Sequence, residues 1–443
     1  PPDKPSRIAI AAVTGTNGKT TTARMLAHIL KMSGRTVGLT STDGVYIDGK
    51  LSVPGDMTGP VSAQMILRDP SVDAAVMETA RGGMLRSGLG FQECNVSACL
   101  NVSADHLGLS GIDTLEDLAE VKRVPIEIAT DAAVLNADDP LCLQMADYTD
   151  AAKLSYVTMN PSHPLVKRHI QAGGQAFVLE QGMNGHLITI YDNETHTPLV
   201  WTHLIPATIE GRALHNVQNA MFAAALAHNM HIGLEDIRQG LRTFGSTFFQ
   251  APGRMNIYDE HPFRVILDYA HNPAAVRAMC LLVDRLDVDG RRIVVLAAPG
   301  DRRDEDIRNI AEIAAAHFDY FICRCDDNRR GRGHDEVAVM LKNKLLESGV
   351  SADRIEVIPD EQEATTRALE MAVSGDLILI LGDNTTRAWK QIIYFNSGAR
   401  VVDTSKKPAA AIELPDAVGF ELSDDLEIIS DERGVRIAKE EGD

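Results

Sequence analysis

The stretch Val13-Thr14-Gly15-Thr16-Asn17-Gly18-Lys19-Thr20-Thr21-Thr22 decides how the rest of the chain is read. Ahead of it lies a short apolar run, Arg7-Ile8-Ala9-Ile10-Ala11-Ala12-Val13. Behind it Met25, Leu26, Ile29 and Leu30 recur on one helical face. Strand, glycine turn and helix together make a phosphate-binding layout. The glycines let backbone N–H groups turn toward an anion, and the helix N-terminus adds its partial positive charge. Lys19 can reach β- and γ-phosphates, and Thr20 offers a hydroxyl to Mg²⁺. Val13 stands where the eight-position form of this loop carries its first glycine, so the motif is a shortened one. The bland alternative is a strand-to-helix turn closed by flexible glycines, and the readable strand and helix on either side weigh against it.

Working outward, 443 residues suffice for two or three domains, each with its own core. The composition, 44% hydrophobic and 24% charged, is that of a globular protein. A net charge of −19 repels phosphate-rich surfaces at long range, which argues against nucleic acid and membrane as partners. Any anionic ligand must then be held by a local basic cluster. No apolar run approaches the roughly 20 residues a bilayer span requires, and no signal-like apolar region stands near the start. The six cysteines, Cys94, Cys99, Cys142, Cys280, Cys323 and Cys325, have neither C-x-x-C nor zinc spacing and read as buried thiols in a reducing cytoplasm. The chain opens at Pro1 without a methionine, so it reads as a piece of something longer.

Further along, Thr36 to Thr40 reads as a second strand, followed by a turn-rich stretch from Asp43 to Pro60. Asp73-Ala74-Ala75-Val76-Met77 reads as a buried strand that delivers Glu78 and Arg81 to the carboxyl edge of an open sheet, where ligands gather. Glu78 is thus a candidate Mg²⁺ ligand beside Thr20. The strand Val96 to Leu100 delivers Asn101 through Gly108, including His106, to the same expected edge. From composition alone Lys122 is a solvated helix lysine. From about 153 to 204 short alternating runs imply a small antiparallel β insertion, and a boundary falls at Gln250-Ala251-Pro252-Gly253-Arg254. Beyond it strand and helix patterns alternate again, giving a second, smaller domain with a mostly parallel sheet. Its polar strand-end loops are Asp268 to Pro273, Gly300 to Asp304 and Asp326 to Arg332. The expected division is 1–250, 251–400 and an acidic extension, 401–443, read as a linker at Lys406 to Ala411 followed by a peripheral hairpin or disordered tail.

The ordered set Thr14 to Thr21, Asp105-His106, Lys122, Asn136-Ala137-Asp138-Asp139, His215-Asn216 with Asn219, Pro252-Gly253-Arg254-Met255, Asp268 to Pro273 and Gly300-Asp301-Arg302-Arg303 resembles the Mur ligase superfamily. The resemblance runs from residue 7 to about 395. Glu78-Thr79-Ala80-Arg81-Gly82-Gly83, Asn101 through Gly108 and Pro1 to Ile10 resemble the Mur-like C-terminal half of the cyanophycin synthetases, with the linker from a preceding ATP-grasp half. His215-Asn216 is closer to the peptidoglycan branch, and Gly382 to Arg387 falls where the family varies.

The resemblance implies a P-loop central ATPase domain, a Rossmann-like α/β lid and an ATP- and Mg²⁺-dependent amide ligase in the cytoplasm. In that chemistry ATP phosphorylates a carboxylate and an amine attacks the acyl phosphate. For the cyanophycin branch the amine is arginine's and the carboxylate is the β-carboxylate of aspartate in an acidic polyaspartate acceptor. Two anions must meet in line, so Lys19 and Mg²⁺ have to neutralise their repulsion. The resemblance implies catalytic Lys19, His106 and Lys122, and a nucleotide site of Gly15, Thr16, Asn17, Gly18, Lys19, Thr20, Thr21, Asn219, Arg254, Asp268 and His271. It implies one Mg²⁺ on Thr20 and Glu78 and a second on His106 and Lys122, the lysine then being carbamylated, since an ammonium cannot ligate a metal. Arg81 and Arg86 would meet the acidic acceptor, and Asp326 and Asp327 the guanidinium of incoming arginine. A homo-oligomer is expected, with an ATP-grasp domain in the same or a partner chain. Two other readings stand: a different amino-acid ligase of the superfamily, such as a folate-type one, and a non-catalytic nucleotide-binding scaffold of a larger enzyme.

Overall fold

The runs at Ala9–Thr14 and Ala74–Glu78 are apolar almost without alternation, and their side chains, like most of those of Cys94–Cys99, are buried on both faces. Such strands belong in the middle of a parallel sheet covered by helices on each side. The computed structural model describes residues 6–396, 414, 420, 422–423 and 425–439. It divides into two units, Pro1–Ser103 with Asp113–Phe244 and Ala411–Asp443, and Ala104–Ile112 with Gly245–Ala410.

The first unit is built on an 11-stranded sheet in the order β11-β10-β9-β8-β7-β6-β1-β5-β2-β3-β4. In chain order these are β1 (Ala9–Thr14), β2 (Val37–Ser41), β3 (Gly44–Ile47), β4 (Lys50–Pro54), β5 (Ala74–Glu78) and β6 (Cys94–Cys99). They continue with β7 (Ala129–Asn136), β8 (Lys153–Thr158), β9 (Gln175–Gly182), β10 (Gly185–Asp192) and β11 (Thr195–Trp201). From β9 to β2 every pairing is parallel, and an antiparallel hairpin closes each edge. The β-rich stretch at 153–204 is therefore the continuation of this sheet: β8 and β9 join in parallel, and antiparallel pairing begins at β10. At the other edge, the stretch from Asp43 to Pro60, expected as turns, holds β3 and β4.

From β1 the chain passes first to β2 on one side and later to β6 on the other, so the crossovers diverge at β1. Divergence of this kind opens a crevice at the carboxyl ends of the strands, and the loop after β1 stands at its mouth.

The second unit carries a 6-stranded sheet, β12-β13-β17-β14-β15-β16, parallel except at β12. Its strands are β12 (Asn256–Tyr258), β13 (Arg264–Asp268), β14 (Arg292–Leu296), β15 (Tyr320–Cys323), β16 (Ile355–Val357) and β17 (Leu377–Leu381). Val265, Leu267, Ile293, Val295, Ile322, Ile378 and Ile380 form its core. The unit also takes in Ala104–Ile112, a segment that precedes Gly245 by more than a hundred positions in the sequence.

The chain then returns to the first unit as the hairpin β18 (Leu426–Asp431) and β19 (Gly434–Lys439). The expected linker at Lys406 to Ala411 and the opening Pro1 to Pro5 lie outside the described residues. All six cysteines are buried free thiols. Among the described residues no helix is long and apolar enough to cross a membrane.

Candidate active site

The helix Lys19–Met32 starts where the loop after β1 ends. Its cap residue, Gly18, has φ +85°, and a Cβ there would stand 2.3 Å from Asn219 Oδ1. Both the left-handed backbone and the close approach require glycine. No side chain caps this helix N-terminus, a layout suited to an anion. Lys19 Nζ donates to the Thr16 carbonyl at 2.8 Å, so the ammonium folds over the loop it serves.

Asn101, just past β6, holds this loop in shape. Its Oδ1 accepts from the N–H groups of Thr16 (3.1 Å) and Asn17 (2.8 Å), and its Nδ2 donates to the Asn17 carbonyl. The Thr16 hydroxyl donates to the Ser103 carbonyl and accepts from the Ser103 N–H. Asn219 sits against the same loop, donating to Asn216 Oδ1 and accepting from the Thr22 hydroxyl.

Glu78 ends β5 at 1% exposure, and the Thr20 hydroxyl donates to its Oε1 at 3.0 Å. A buried hydroxyl beside a buried carboxylate offers the hard oxygen donors that Mg²⁺ prefers. Lys122 is 4% exposed and is not the solvated lysine that composition suggests. Its Nζ donates to the Gly15 carbonyl at 2.8 Å. The donor set thus fits a hard cation at Thr20 and Glu78, whereas Lys122 as an ammonium braces the loop and would fit a metal only as a carbamate. Arg81 opens the helix that follows β5, partly buried, and Arg86 lies exposed on the same helix.

His106 belongs to the second unit, where it meets groups from the loops after β13 and β14. Arg302 Nη2 donates to His106 Nε2 at 2.9 Å, and Arg302 Nε lies 2.9 Å from Asp105 Oδ1. Asn272 donates to Asp105 Oδ2, and His271 Nε2 lies 3.7 Å from that oxygen. Burial pushes His106 down to about 4, so its ring is neutral near pH 7. Burial alone would raise Asp105, but His271, Arg302 and His106 hold it far below the usual carboxylate range. In the same unit Asp268 Oδ2 accepts from the Met255 N–H at 2.7 Å, and the Arg254 guanidinium lies over the Tyr269 ring. Burial raises the Asp268 carboxyl, with the Arg254 charge opposing.

Asp326 and Asp327 are already engaged by the chain's own arginines. Arg324, fully buried, pairs with Asp326 and with Glu361, and Arg387 pairs with Asp327 and Glu361. The structure therefore brings Lys19, Thr20, Glu78, Lys122 and Asn219 to the loop after β1, and gathers His106 with His271 in the second unit. Sequence reasoning passed over Asn101, Arg302 and Glu361 as site residues. Asn101 had a readable signal, an amide directly after a strand adjacent to β1, whereas Glu361 lies near no recognised motif.

With this geometry in hand, two family descriptions match: "Mur ligase middle domain" over residues 13–227 and "Mur ligase, glutamate ligase domain" over 253–384. A cyanophycin synthetase of Trichormus variabilis is 46% identical over 394 residues, covering 88% of this chain. The chain spans 43% of that relative's length. A UDP-N-acetylmuramoyl-L-alanyl-D-glutamate–2,6-diaminopimelate ligase of Corynebacterium efficiens is 31% identical over 85% of this chain and 70% of its own. The fold also matches a solved structure of FolC from E. coli in complex with ADP, with a TM-score of 0.64 at 21% identity, covering 88% of this chain and 90% of that one. Loop, crevice, two α/β units and matching relatives agree, and the chain belongs to the Mur ligase family.

Proposed function

We propose that this chain is the amide-forming ligase part of a cyanophycin-type synthetase. It would use ATP to activate the β-carboxylate of aspartate in a polyaspartate acceptor and couple it to the α-amine of arginine. The observation that carries the substrate reading is the 46% identity to a cyanophycin synthetase over 88% of the chain. The reaction class has its own support in the grouping of Lys19, Thr20 and Glu78 on the loop after β1.

In this reading the first turn of Lys19–Met32 and the Lys19 ammonium bind the nucleotide phosphates and offset the charge of the approaching carboxylate. Asn101 and Lys122 keep the loop open by bonding its N–H groups and the Gly15 carbonyl, so little reorganisation is needed when phosphate arrives. Mg²⁺ held by Thr20 and Glu78 would supply positive charge to the phosphates. His271 and Asp268, with Arg254, would contact the nucleotide, and Arg81 and Arg86 the acidic acceptor. Asp326 and Asp327 would receive a guanidinium only in competition with Arg324 and Arg387.

The test is ADP release by the purified chain with Mg-ATP and polyaspartate, one amino acid at a time. Arginine should drive release, while glutamate and diaminopimelate should leave it at background. Release driven by glutamate or diaminopimelate instead would contradict the substrate assignment.

A further inference from the structure

Glu78 is oriented by two separate elements, and a further contact ties those two elements to each other. On one side the Thr20 hydroxyl, in the first turn of the helix Lys19–Met32, donates to Glu78 Oε1 at 3.0 Å. On the other the Thr42 N–H, in the turn between β2 and β3, donates to Glu78 Oε2 at 3.3 Å, and the Thr42 hydroxyl lies 3.4 Å from that of Thr20. The direction in which the carboxylate faces therefore depends on how the turn stands against the helix.

Arg24 and Asp43 span the same gap. Arg24 lies one helical turn beyond Thr20 on the same face, and Asp43 directly follows Thr42. Arg24 Nη2 donates to Asp43 Oδ2, while the Ser41 hydroxyl donates to Oδ1 and the Tyr46 hydroxyl to Oδ2 at 3.0 Å. The guanidinium also lies over the Tyr46 ring, 4.5 Å from its centroid. The Asp43 carbonyl accepts from the Gly55 N–H and the Ser41 carbonyl from the Met57 N–H, so the chain leaving β4 is anchored on this turn as well. A guanidinium at 7% exposure is costly to bury, and an ion pair of this kind adds little net stability over apolar side chains of similar size. What it adds is register: a planar fork stacked on a ring fixes one direction and one spacing, which an apolar contact does not.

We propose that Arg24 and Asp43 are positioning residues that set the Thr42 turn against the helix Lys19–Met32 and thereby aim the Glu78 carboxylate at the cation of the nucleotide site. The proposal rests on the reading of Thr20 and Glu78 as the Mg²⁺ donors and extends it to two residues outside the phosphate-binding loop. A pair that merely staples the β3–β4 hairpin would, when broken, lower stability and leave metal affinity where it was.

The test is Mn²⁺ binding to the full chain with a non-hydrolysable ATP analogue, measured by electron paramagnetic resonance of free Mn²⁺, with melting temperature alongside. Arg24→Met and Asp43→Asn should each weaken Mn²⁺ binding about tenfold, the lower end of what loss of a residue behind a metal ligand costs. The double variant should be no weaker than the worse single one, because both remove the same contact. Arg24→Lys, which keeps the charge without the fork, should recover part of the affinity and serves if the methionine variant does not fold. Arg436→Met, which removes an ion pair to Asp147 elsewhere in the same unit, should lower the melting temperature and leave Mn²⁺ affinity as in wild type. Unchanged Mn²⁺ affinity in folded Arg24 and Asp43 variants overturns the proposal, as do losses that add in the double variant or an equal loss in Arg436→Met. A wild-type chain that binds no Mn²⁺ rejects the metal reading and the proposal with it, whereas Mn²⁺ binding without arginine-driven ADP release rejects only the substrate reading.

Discussion

At the scale of single residues, the loop after β1 was legible because its geometry is local: Gly18, Lys19 and Thr20 lie next to one another at the start of a helix. Glu78 was legible because the strand that carries it could be read as buried. Lys122 was misplaced by composition, since nothing in its neighbours announces that its ammonium bonds the Gly15 carbonyl 107 positions away. Residue-level electrostatics also set an expectation for pH. Burial lowers His106 and His215 to about 4, against about 6.5 in an unfolded chain. The unfolded state therefore binds more protons between those values, and this contribution to stability, complete above pH 6.5, is lost as pH falls toward 4. Raised carboxyls such as Asp268 act in the opposite direction, so the comparison must be made against a variant. His215→Gln should flatten the fall in melting temperature between pH 6.5 and 4.5 relative to wild type; parallel curves would show that His215 is not held neutral.

At the scale of elements, the parallel strands were readable as apolar runs, but β3 and β4 were not. Lys50, Leu51 and Ser52 are exposed, and β4 has no buried face to impose a period of two. The assignment of Ala104–Ile112 to the second unit was equally hidden, because it depends on Asp105 and His106 meeting Arg302 and His271, a tertiary fact with no sequence period. The C-terminal hairpin shows the reverse. Acidic and apolar residues alternate visibly there, and the structure supplies the surface they cover. Arg436 pairs with Asp147, Arg433 donates to the Thr149 carbonyl, and the Val435 N–H donates to His169 Nδ1 at 2.9 Å. A Cβ on Gly434 would stand 2.3 Å from that nitrogen, so the turn is fitted to the His169 ring. With Val435, Ile437 and Ala438 buried, the hairpin is part of the first unit's core. Ile437→Ala should cost about 2–4 kcal/mol in urea unfolding, the usual range for truncating a buried isoleucine. A change below about 0.5 kcal/mol, typical of surface sites, would mean that the hairpin is merely peripheral.

At the scale of the whole molecule, the net charge of −19 and the proposed acidic acceptor look incompatible until the charge is located. In the proposed function, phosphate and carboxylate would be met by local donors, Lys19 and a helix N-terminus, while the overall field disfavours other polyanions. The family was legible because its motifs recur in order along nearly the whole chain, several of them at the ends of strands. The residues that would meet the amino acid were not, because Asp326 and Asp327 engage internal arginines and no local pattern distinguishes an internal partner from a substrate. The most direct measurement is therefore the transfer itself: labelled arginine incubated with the purified chain, polyaspartate and Mg-ATP. Label should appear in the polymer in step with ADP and vanish in Lys19→Ala with the fold intact. A folded wild-type chain that leaves the polymer unlabelled, or a Lys19→Ala variant that labels it at the same rate, would contradict the assignment.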